Sequence, residues 1–267
     1  MFEKFLTFVQ QAGDFARQNQ SRVDFFTARK KSEHNYDVVT DVDLEISRRF
    51  KSFCQNNFSD LDYLIVDEES IAAVKFDDLK KHDYVFVLDP IDGSLTYSVG
   101  LPDYGVMAAV YQDGSPMLAF LNCPGLDLLA ARDGSEIWLT AGGKKSKLIP
   151  MAEAAPLFDG SFDPADVGNL DLFAPYSSAV SGIYLATGQL CGKLFPAKWW
   201  DLAVPLAIAS GCGVRCFDPA TGEAVDLFDR KWWDDKWHVK SCKIICRPKY
   251  YDELKKVFRQ AIEHGWR

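Results

Sequence analysis

The residues best placed to do chemistry are acidic, and they fall into three groups. The first closes the run Tyr84-Val-Phe-Val-Leu-Asp-Pro-Ile-Asp-Gly-Ser94. Its five leading apolar residues predict a buried strand that delivers Asp89 at its carboxyl end. Pro90 fixes φ and Gly93 permits a tight turn, so Asp89 and Asp92 can be brought onto one side of a rigid loop. Two carboxylates held together repel each other unless they share a cation, and hard oxygen donors suit Mg²⁺. The plainer alternative is an Asp-Pro surface turn without function, against which the apolar strand leading directly into it weighs.

The second group, Asp67-Glu68-Glu69-Ser70, ends the apolar run Tyr63-Leu-Ile-Val66. Three adjacent carboxylates are unfavourable if packed without a counter-charge and harmless at a solvated strand end; this segment alone leaves both open. The third is Asp201, which follows Trp199-Trp200 and opens the apolar run Leu202 to Ala209. Taken by itself it is a plain helix N-cap, and Pro205 is expected near the first turn, where backbone donors have no partners.

The elements that must position these groups can be read from periodicity. Phe2, Phe5, Leu6, Val9, Ala12 and Ala16 form one stripe of an opening helix. Thr40-Asp-Val-Asp43 can cap a second helix whose buried face is Val42, Ile46, Phe50, Phe53 and Cys54. Strands are expected at 63–66, 84–88, 106–111, 117–121 and 137–140, which makes this half two helices against a mostly antiparallel sheet. The texture changes near Pro150. Helices are expected at 178–187 and 200–210, strands at 213–217 and 243–246, and a final helix carries Tyr251, Leu254, Val257, Phe258 and Ile262. The expected division is therefore 1–150, carrying most of the acidic groups, and 151–267, carrying Asp201.

Composition removes several functions. With 38 acidic and 30 basic residues the chain of 267 has a formal charge of −8, a poor match to a phosphate backbone, so no nucleic-acid partner is expected. No run approaches the ~18 apolar residues of a membrane span, and the N-terminus lacks a signal-like apolar stretch, so a cytoplasmic location is expected. The seven cysteines are odd in number and read as reduced core residues; Cys212/Cys216 and Cys242/Cys246 lack the two-residue spacing of a metal knuckle. His34, His82, His238 and His264 are scattered, with no His-x-x-x-His pair, and no G-x-S-x-G elbow is present. Gly142-Gly-Lys-Lys-Ser146 lacks the order of a phosphate loop and reads as a hairpin turn. Trp232, Trp233 and Trp237 lie among aspartates and read as packing or a subunit contact rather than a stacking platform.

Taken in order, Asp67-Glu68-Glu69-Ser70, Asp89-Pro-Ile-Asp-Gly-Ser94 and Trp200-Asp201, with Val39-Thr40-Asp-Val-Asp43 upstream, resemble the inositol monophosphatase family of lithium-sensitive, magnesium-dependent phosphatases. The resemblance covers nearly the whole chain. It implies a layered αβαβα sandwich of the sugar-phosphatase type, two or three Mg²⁺ ions and a homodimer. Glu68, Asp89 and the Ile91 carbonyl resemble the ligands of one ion; Asp89, Asp92 and Asp201 resemble those of a second. Asp43 resembles the acid that bonds the Ser94 hydroxyl to orient the attacking water, with Glu68 also in the catalytic set, while the amides of Gly93 and Ser94 would hold the phosphate. Ser177, Ser178 and Leu194 fall at the family's substrate segment. The implied substrate is a small polyol, sugar or nucleotide phosphate, with bisphosphate-nucleotidase-like and fructose-1,6-bisphosphatase-like activities as alternatives.

The departures are specific. Asp67 replaces a Gly, Ser94 a Thr, and Tyr176 stands where Gly is usual. Lys31 lies near the family's active-site lysine but one residue out of spacing. No acid occurs between Gln189 and Trp200, where inositol-preferring members place a Glu, so inositol 1-phosphate is not expected to be the best substrate; Lys193 and Lys198 would instead favour a second phosphate or a carboxylate, if they are not solvated surface residues. A dehalogenase-type phosphatase wants Asp-x-Asp, which this loop lacks. Some bacterial members bind transcription machinery, and a non-catalytic scaffold is the competing reading; the full set Glu68, Asp89, Asp92 and Asp201 favours catalysis.

Overall fold

The computed structural model describes residues 1–23, 29–30, 38–151, 153–155, 157–159, 171–172, 176–195 and 198–264. Lys31 and His34 lie outside the described residues. The chain opens with α1 (Phe2–Asn19), then the two-residue strands β1 (Arg29–Lys30) and β2 (Val38–Val39), which pair antiparallel. Helix α2 (Asp41–Phe58) starts as the sequence predicts. The Thr40 amide donates to Asp43 Oδ2 at 2.9 Å and the Asp43 amide to Thr40 Oγ1 at 3.4 Å, a reciprocal cap that satisfies donors with no helical partner.

A seven-stranded sheet follows in near-sequential order: β3 (Tyr63–Asp67), β4 (Tyr84–Asp92), β5 (Gly105–Gln112), β6 (Ser115–Cys123), β7 (Leu128–Asp133), β8 (Glu136–Ala141) and β9 (Lys144–Lys147). Only the β3–β4 pairing is parallel. Between β4 and β5 stands the short helix α3 (Ser94–Ser98). The glycine pair at 142–143 makes the β8–β9 hairpin, with Ala141 opposite Lys144. Strand β7 is an addition to the expected elements, since Leu128-Leu-Ala-Ala-Arg-Asp133 shows no alternation.

The second half contributes β10 (Leu157–Asp159), β11 (Asp171–Leu172), α4 (Ser178–Thr187), β12 (Gly192–Phe195), α5 (Trp199–Ala209), β13 (Arg215–Phe217), β14 (Lys243–Cys246), α6 (Tyr251–Val257) and α7 (Arg259–His264). Its sheet runs β11-β10-β12-β14-β13. Strand β13 starts two residues later than expected because Gly213 takes a left-handed φ of 89° to leave the preceding turn.

Side-chain alternation shows how the layers stack. On β4, Phe86 and Leu88 join Phe5, Val9, Ile46 and Phe50 of α1 and α2, whereas Val85 and Val87 join Val180, Ile183, Val204 and Ile208 of α4 and α5 on the opposite face. Ile245 and Phe195 of the second sheet pack on that same helix layer, and Leu194, Ile244 and Cys246 turn the other way, onto Leu254 and Val257 of α6. The order is helices, sheet, helices, sheet, helices: the layered αβαβα sandwich. A strand buried on both faces reads as a continuous apolar run, which is why 84–88 shows no polar alternation.

Pro205 departs from expectation. It lies in the second turn of α5, not the first, so it cannot donate to the Asp201 carbonyl. It faces Gly182 of α4, where a Cβ would meet Pro205 Cβ at 2.7 Å, so the missing side chain lets the two helices approach closely. All seven cysteines are buried free thiols, and burial pushes Cys191 up to about 11, far from a reactive thiolate. Trp232, Trp233 and Trp237 are core residues. No helix among the described residues is long and apolar enough to cross a membrane.

Candidate active site

The site is built at the carboxyl end of β4. Residues three apart on a regular strand face opposite sides, so Asp89 and Asp92 cannot meet without an irregularity. The register supplies one: Asp89 pairs with Met107 and Asp92 with Gly105, so two residues of β4 oppose the single residue Val106 of β5. This bulge turns both carboxylates to one side. The loop then reverses at Gly93, whose φ is 82° and where a Cβ would lie 2.8 Å from the Asp103 carbonyl oxygen. No other residue fits there without strain.

Asp92 is buried, and its Oδ2 accepts from the Ala179 amide at 2.8 Å and from the Ser177 hydroxyl. Ser177, expected as a substrate contact, is the N-cap of α4, and its hydroxyl donates to Asp92 Oδ2, a metal-ligand candidate. Asp201 stands at the third position of α5, where it accepts from the Lys198 amide at 3.1 Å; it caps the helix from inside and is not the N-cap expected. Carboxylate oxygens of Asp89, Asp92 and Asp201 all lie within 4.8 Å of one another. Burial raises the Asp92 carboxyl against the opposing pull of the Ala179 and Ser177 hydrogen bonds and the Lys193 charge. Burial, then repulsion from Glu68 and Asp92, pushes Asp201 up to about 7 despite Lys198. Such crowding of hard oxygen donors fits a small divalent cation, which would remove the repulsion that raises these groups.

Asp43 is fully buried behind the loop. Its Oδ2 is held by Thr40, leaving Oδ1 3.2 Å from Ser94 Oγ, and the same hydroxyl lies 2.7 Å from the Ile91 carbonyl oxygen. The predicted Asp43–Ser94 pair is thus assembled, with Ile91 as a second acceptor; one hydroxyl proton serves either acceptor at a time.

The Asp67-Glu68 step divides two adjacent carboxylates between different surroundings. Asp67 turns away to accept from the Ser47 and Ser70 hydroxyls and the Glu69 amide, with Lys51 Nζ at 3.4 Å. This aspartate, in place of a glycine, is a buried hub between α2 and the strand end and adds no hydrogen bond to the acidic cluster. Glu68 faces the cluster, its charge acting on Asp201, and pairs with Lys198 at 3.2 Å.

Leu194 is placed elsewhere. It is 1% exposed in the core between β14 and α6, on the opposite face of its strand from the site. Lys193, one residue earlier and therefore on the other face, donates to Ser181 Oγ at 2.8 Å and Ser178 Oγ at 3.4 Å and acts on Asp92. The two lysines left open by the sequence, Lys193 and Lys198, are half-buried beside the carboxylates. An unrecognised strand, β12, hid this: its period-two alternation puts Lys193 and Leu194 on opposite faces, and the packing of β14 decides which of them faces the site. Tyr176, 76% exposed, stands at the entrance to α4.

The layered αβαβα fold thus brings together three carboxylates, two from β4, the strand beside the β3 edge of its sheet, and one from α5 in the middle helix layer. The chain belongs to the inositol monophosphatase family, whose model matches residues 3–263. It is 23% identical over 240 residues to a fructose-1,6-bisphosphatase/inositol-1-monophosphatase of Thermotoga maritima, covering 85% of this chain and 84% of that one. Two solved structures share the fold: a Thermotoga maritima IMPase (TM-score 0.73, 19% identity, 97% of this chain and 96% of that one) and an IMPase/NADP phosphatase complexed with Mg²⁺ and phosphate (TM-score 0.69, 18% identity, 94% and 92%). The family is one of phosphatases, as are the relatives just named, and the chain is a phosphoric monoester hydrolase.

Proposed function

We propose that the chain is a Mg²⁺-dependent phosphomonoesterase that hydrolyses a small polyol, sugar or nucleotide phosphate with an activated water. The observation that carries this reading is the convergence of Asp89, Asp92 and Asp201, held within 4.8 Å of one another by a strand bulge and a helix start. Asp89, Asp92 and Asp201 would hold one divalent ion, and Glu68, Asp89 and the Ile91 carbonyl another. Divalent ions there supply the positive charge that a phosphate monoester needs to accept a nucleophile and to release its ester oxygen.

The rest of the chemistry falls to the chain's own groups. Asp43 Oδ1 accepts the Ser94 proton, which leaves the Ser94 oxygen free to accept from, and so orient, the incoming water. Thr40 fixes Asp43 in that orientation from the far side. The amides of Gly93 and Ser94 open the turn after the bulge and are the donors for phosphate oxygens, while Ser177 and the Ala179 amide prevent Asp92 from rotating out. Of the expected substrate contacts, Ser178 remains with Lys193 beside it; Leu194 is replaced in that role by Lys193. The catalytic residues come from both lobes, 1–150 and 151–267, in a cytoplasmic enzyme.

The test is phosphate release from a panel of monoesters with Mg²⁺ and with a chelator. Mg²⁺-dependent turnover of at least one small phosphate ester is expected; a folded protein that releases phosphate from none of them removes the proposal.

A further inference from the structure

Asp67 is fully buried, and its carboxylate gathers donors from two elements. Oδ1 accepts from the Glu69 amide at 3.2 Å; Oδ2 accepts from the Ser70 hydroxyl at 2.8 Å and from the Ser47 hydroxyl, with Lys51 Nζ at 3.4 Å. We infer that Asp67 is a positioning residue for Glu68: it ties the turn that carries Glu68 to helix α2 and so sets where the Glu68 carboxylate stands relative to the Asp43–Ser94 pair. The inference rests on the metallophosphatase reading above and adds a residue that acts on the site through its neighbour.

The turn comes first. Strand β3 ends at Asp67, whose backbone is still extended at φ −129° and ψ 124°, and a short 3₁₀ turn, Glu68–Ala73, begins at Glu68. The opening amides of such a turn have no partner within it. Asp67 Oδ1 takes that of Glu69, and the ring closed by this bond runs through the backbone of Glu68. The dihedral angles that aim the Glu68 side chain are therefore fixed by the residue before it. Lys198 pairs with the carboxylate at the far end of the same side chain, while Asp67 governs the backbone end.

The second half of the bonding reaches across to α2. Asp43, Ser47 and Lys51 are spaced four residues apart, so they follow one another along one side of that helix at intervals of about 6 Å. Asp43 accepts from the Ser94 hydroxyl, Ser47 donates to Asp67, and the Lys51 ammonium lies beside the same carboxylate. One face of a single helix thus spaces the Asp43–Ser94 pair from the turn that carries Glu68. Ser47 is 4% exposed and Asp67 0%, so neither group has water to replace the other. A ligand turn held in place beforehand leaves less ordering to be done when a cation arrives; released, it would still carry Glu68 but no longer aim it.

The experiment is calorimetric titration of the full chain with MgCl₂ in the absence of substrate, together with hydrogen–deuterium exchange of the peptide containing the Glu69 amide. The proteins are wild type, Ser47→Ala, Asp67→Ala, Glu68→Gln, the double variant Ser47→Ala/Glu68→Gln, and Asp218→Ala, which loses a buried ion pair in the other sheet and controls for stability alone. Each is checked for folding by circular dichroism. Ser47→Ala is decisive because it cuts the tie to α2 without changing any charge. In the part of the isotherm that Glu68→Gln removes, Kd is expected to rise about tenfold in Asp67→Ala and about threefold in Ser47→Ala, with faster exchange at Glu69 in both. No change is expected in Asp218→Ala, and none from Ser47→Ala in the Glu68→Gln background. Unchanged affinity and exchange in both Ser47→Ala and Asp67→Ala overturn the inference. An equal loss in Asp218→Ala overturns it as well, since the effect would then be one of stability, and so does an equal loss in the double variant, since Asp67 would then act other than through Glu68. Wild-type protein that binds no divalent ion overturns the metallophosphatase reading itself; a full wild-type isotherm in Glu68→Gln overturns only the assignment of Glu68 and, with it, this role of Asp67.

Discussion

Replacing Asp92 by Asn separates the charge of the site from its shape. The asparagine carbonyl can accept the two bonds that Oδ2 now receives, from the Ala179 amide and the Ser177 hydroxyl, so the join between the Asp92 loop and α4 is kept. The other atom changes from an anionic oxygen to an N–H₂ donor aimed at Asp89 and Asp201. One negative charge leaves the group that should hold the cation. Removing one such electrostatic contribution to the transition state commonly lowers kcat by about 10²- to 10³-fold, roughly 2.7–4 kcal/mol. Stability should move the other way in a chelator. Burial raises the Asp92 carboxyl in the folded state, and a carboxylate raised above its unfolded value subtracts stability once the pH exceeds that unfolded value. The neutral amide removes that penalty, so Asp92→Asn is expected to melt at or above the wild-type temperature in EDTA and to gain less than wild type from added Mg²⁺. Colorimetric phosphate release at saturating Mg²⁺ and a melting curve with and without chelator measure both arms. Activity within about threefold of wild type would refute the role of Asp92, since no electrostatic contribution of that size could then have been lost.

Four further outcomes are expected. Divalent-ion affinity should fall as pH drops below about 7, because the raised Asp201 carboxyl must lose its proton to bind, and titrations from pH 5.5 to 8 showing a constant Kd would contradict this. Inositol 1-phosphate should not give the highest kcat/KM in a panel including sugar bisphosphates, glycerol phosphate and histidinol phosphate, because the position nearest the expected acid, Leu194, faces the α6 core; a preference of about tenfold or more for inositol 1-phosphate sinks the point. Millimolar Li⁺ should inhibit in the presence of Mg²⁺, since a small hard monocation can occupy carboxylate oxygens without the charge to support leaving-group departure, and an unchanged rate across the Mg²⁺ range refutes it. Asp218→Ala should destabilise by about 3–5 kcal/mol, because Lys243 Nζ, 2.7 Å from Asp218 Oδ2 and 1% exposed, is left buried without its anion. The Lys243 bond and the Thr221 contacts outweigh burial and hold the Asp218 carboxyl below its usual value. The pair's contribution is therefore complete above that usual value, near 3.8, and lost only as pH falls through the lower folded one; denaturant melts at neutral pH and in acid test both statements.

Local physics was enough for part of this molecule. The capping box at Thr40 and Asp43, the doubly buried strand entering Asp89, the turn that requires glycine at 93 and the hairpin at 142–143 each depend on neighbours within a few residues, so the amino-acid order alone determined them. The acidic groups could likewise be recognised by type and spacing. Their mutual geometry could not. Asp89 and Asp92 share a side only because Gly105 and Met107 of another strand accept a bulge, and Asp201 reaches them only because α5 packs across the same sheet. Nor could the order of residues tell that Asp67 turns back to Ser47 while Glu68 turns forward, since neighbouring carboxylates are chemically alike until α2 and Lys198 present them with different partners. The exchange of Leu194 for Lys193 has the same origin. A four-residue strand carries too little pattern to announce itself, and its facing is decided by the pairing with β14, whose apolar residues meet α6 on one side and α4 and α5 on the other. Long-range pairing determines which face of a strand is inside, and a shift of one residue exchanges a core leucine for a lysine beside the site.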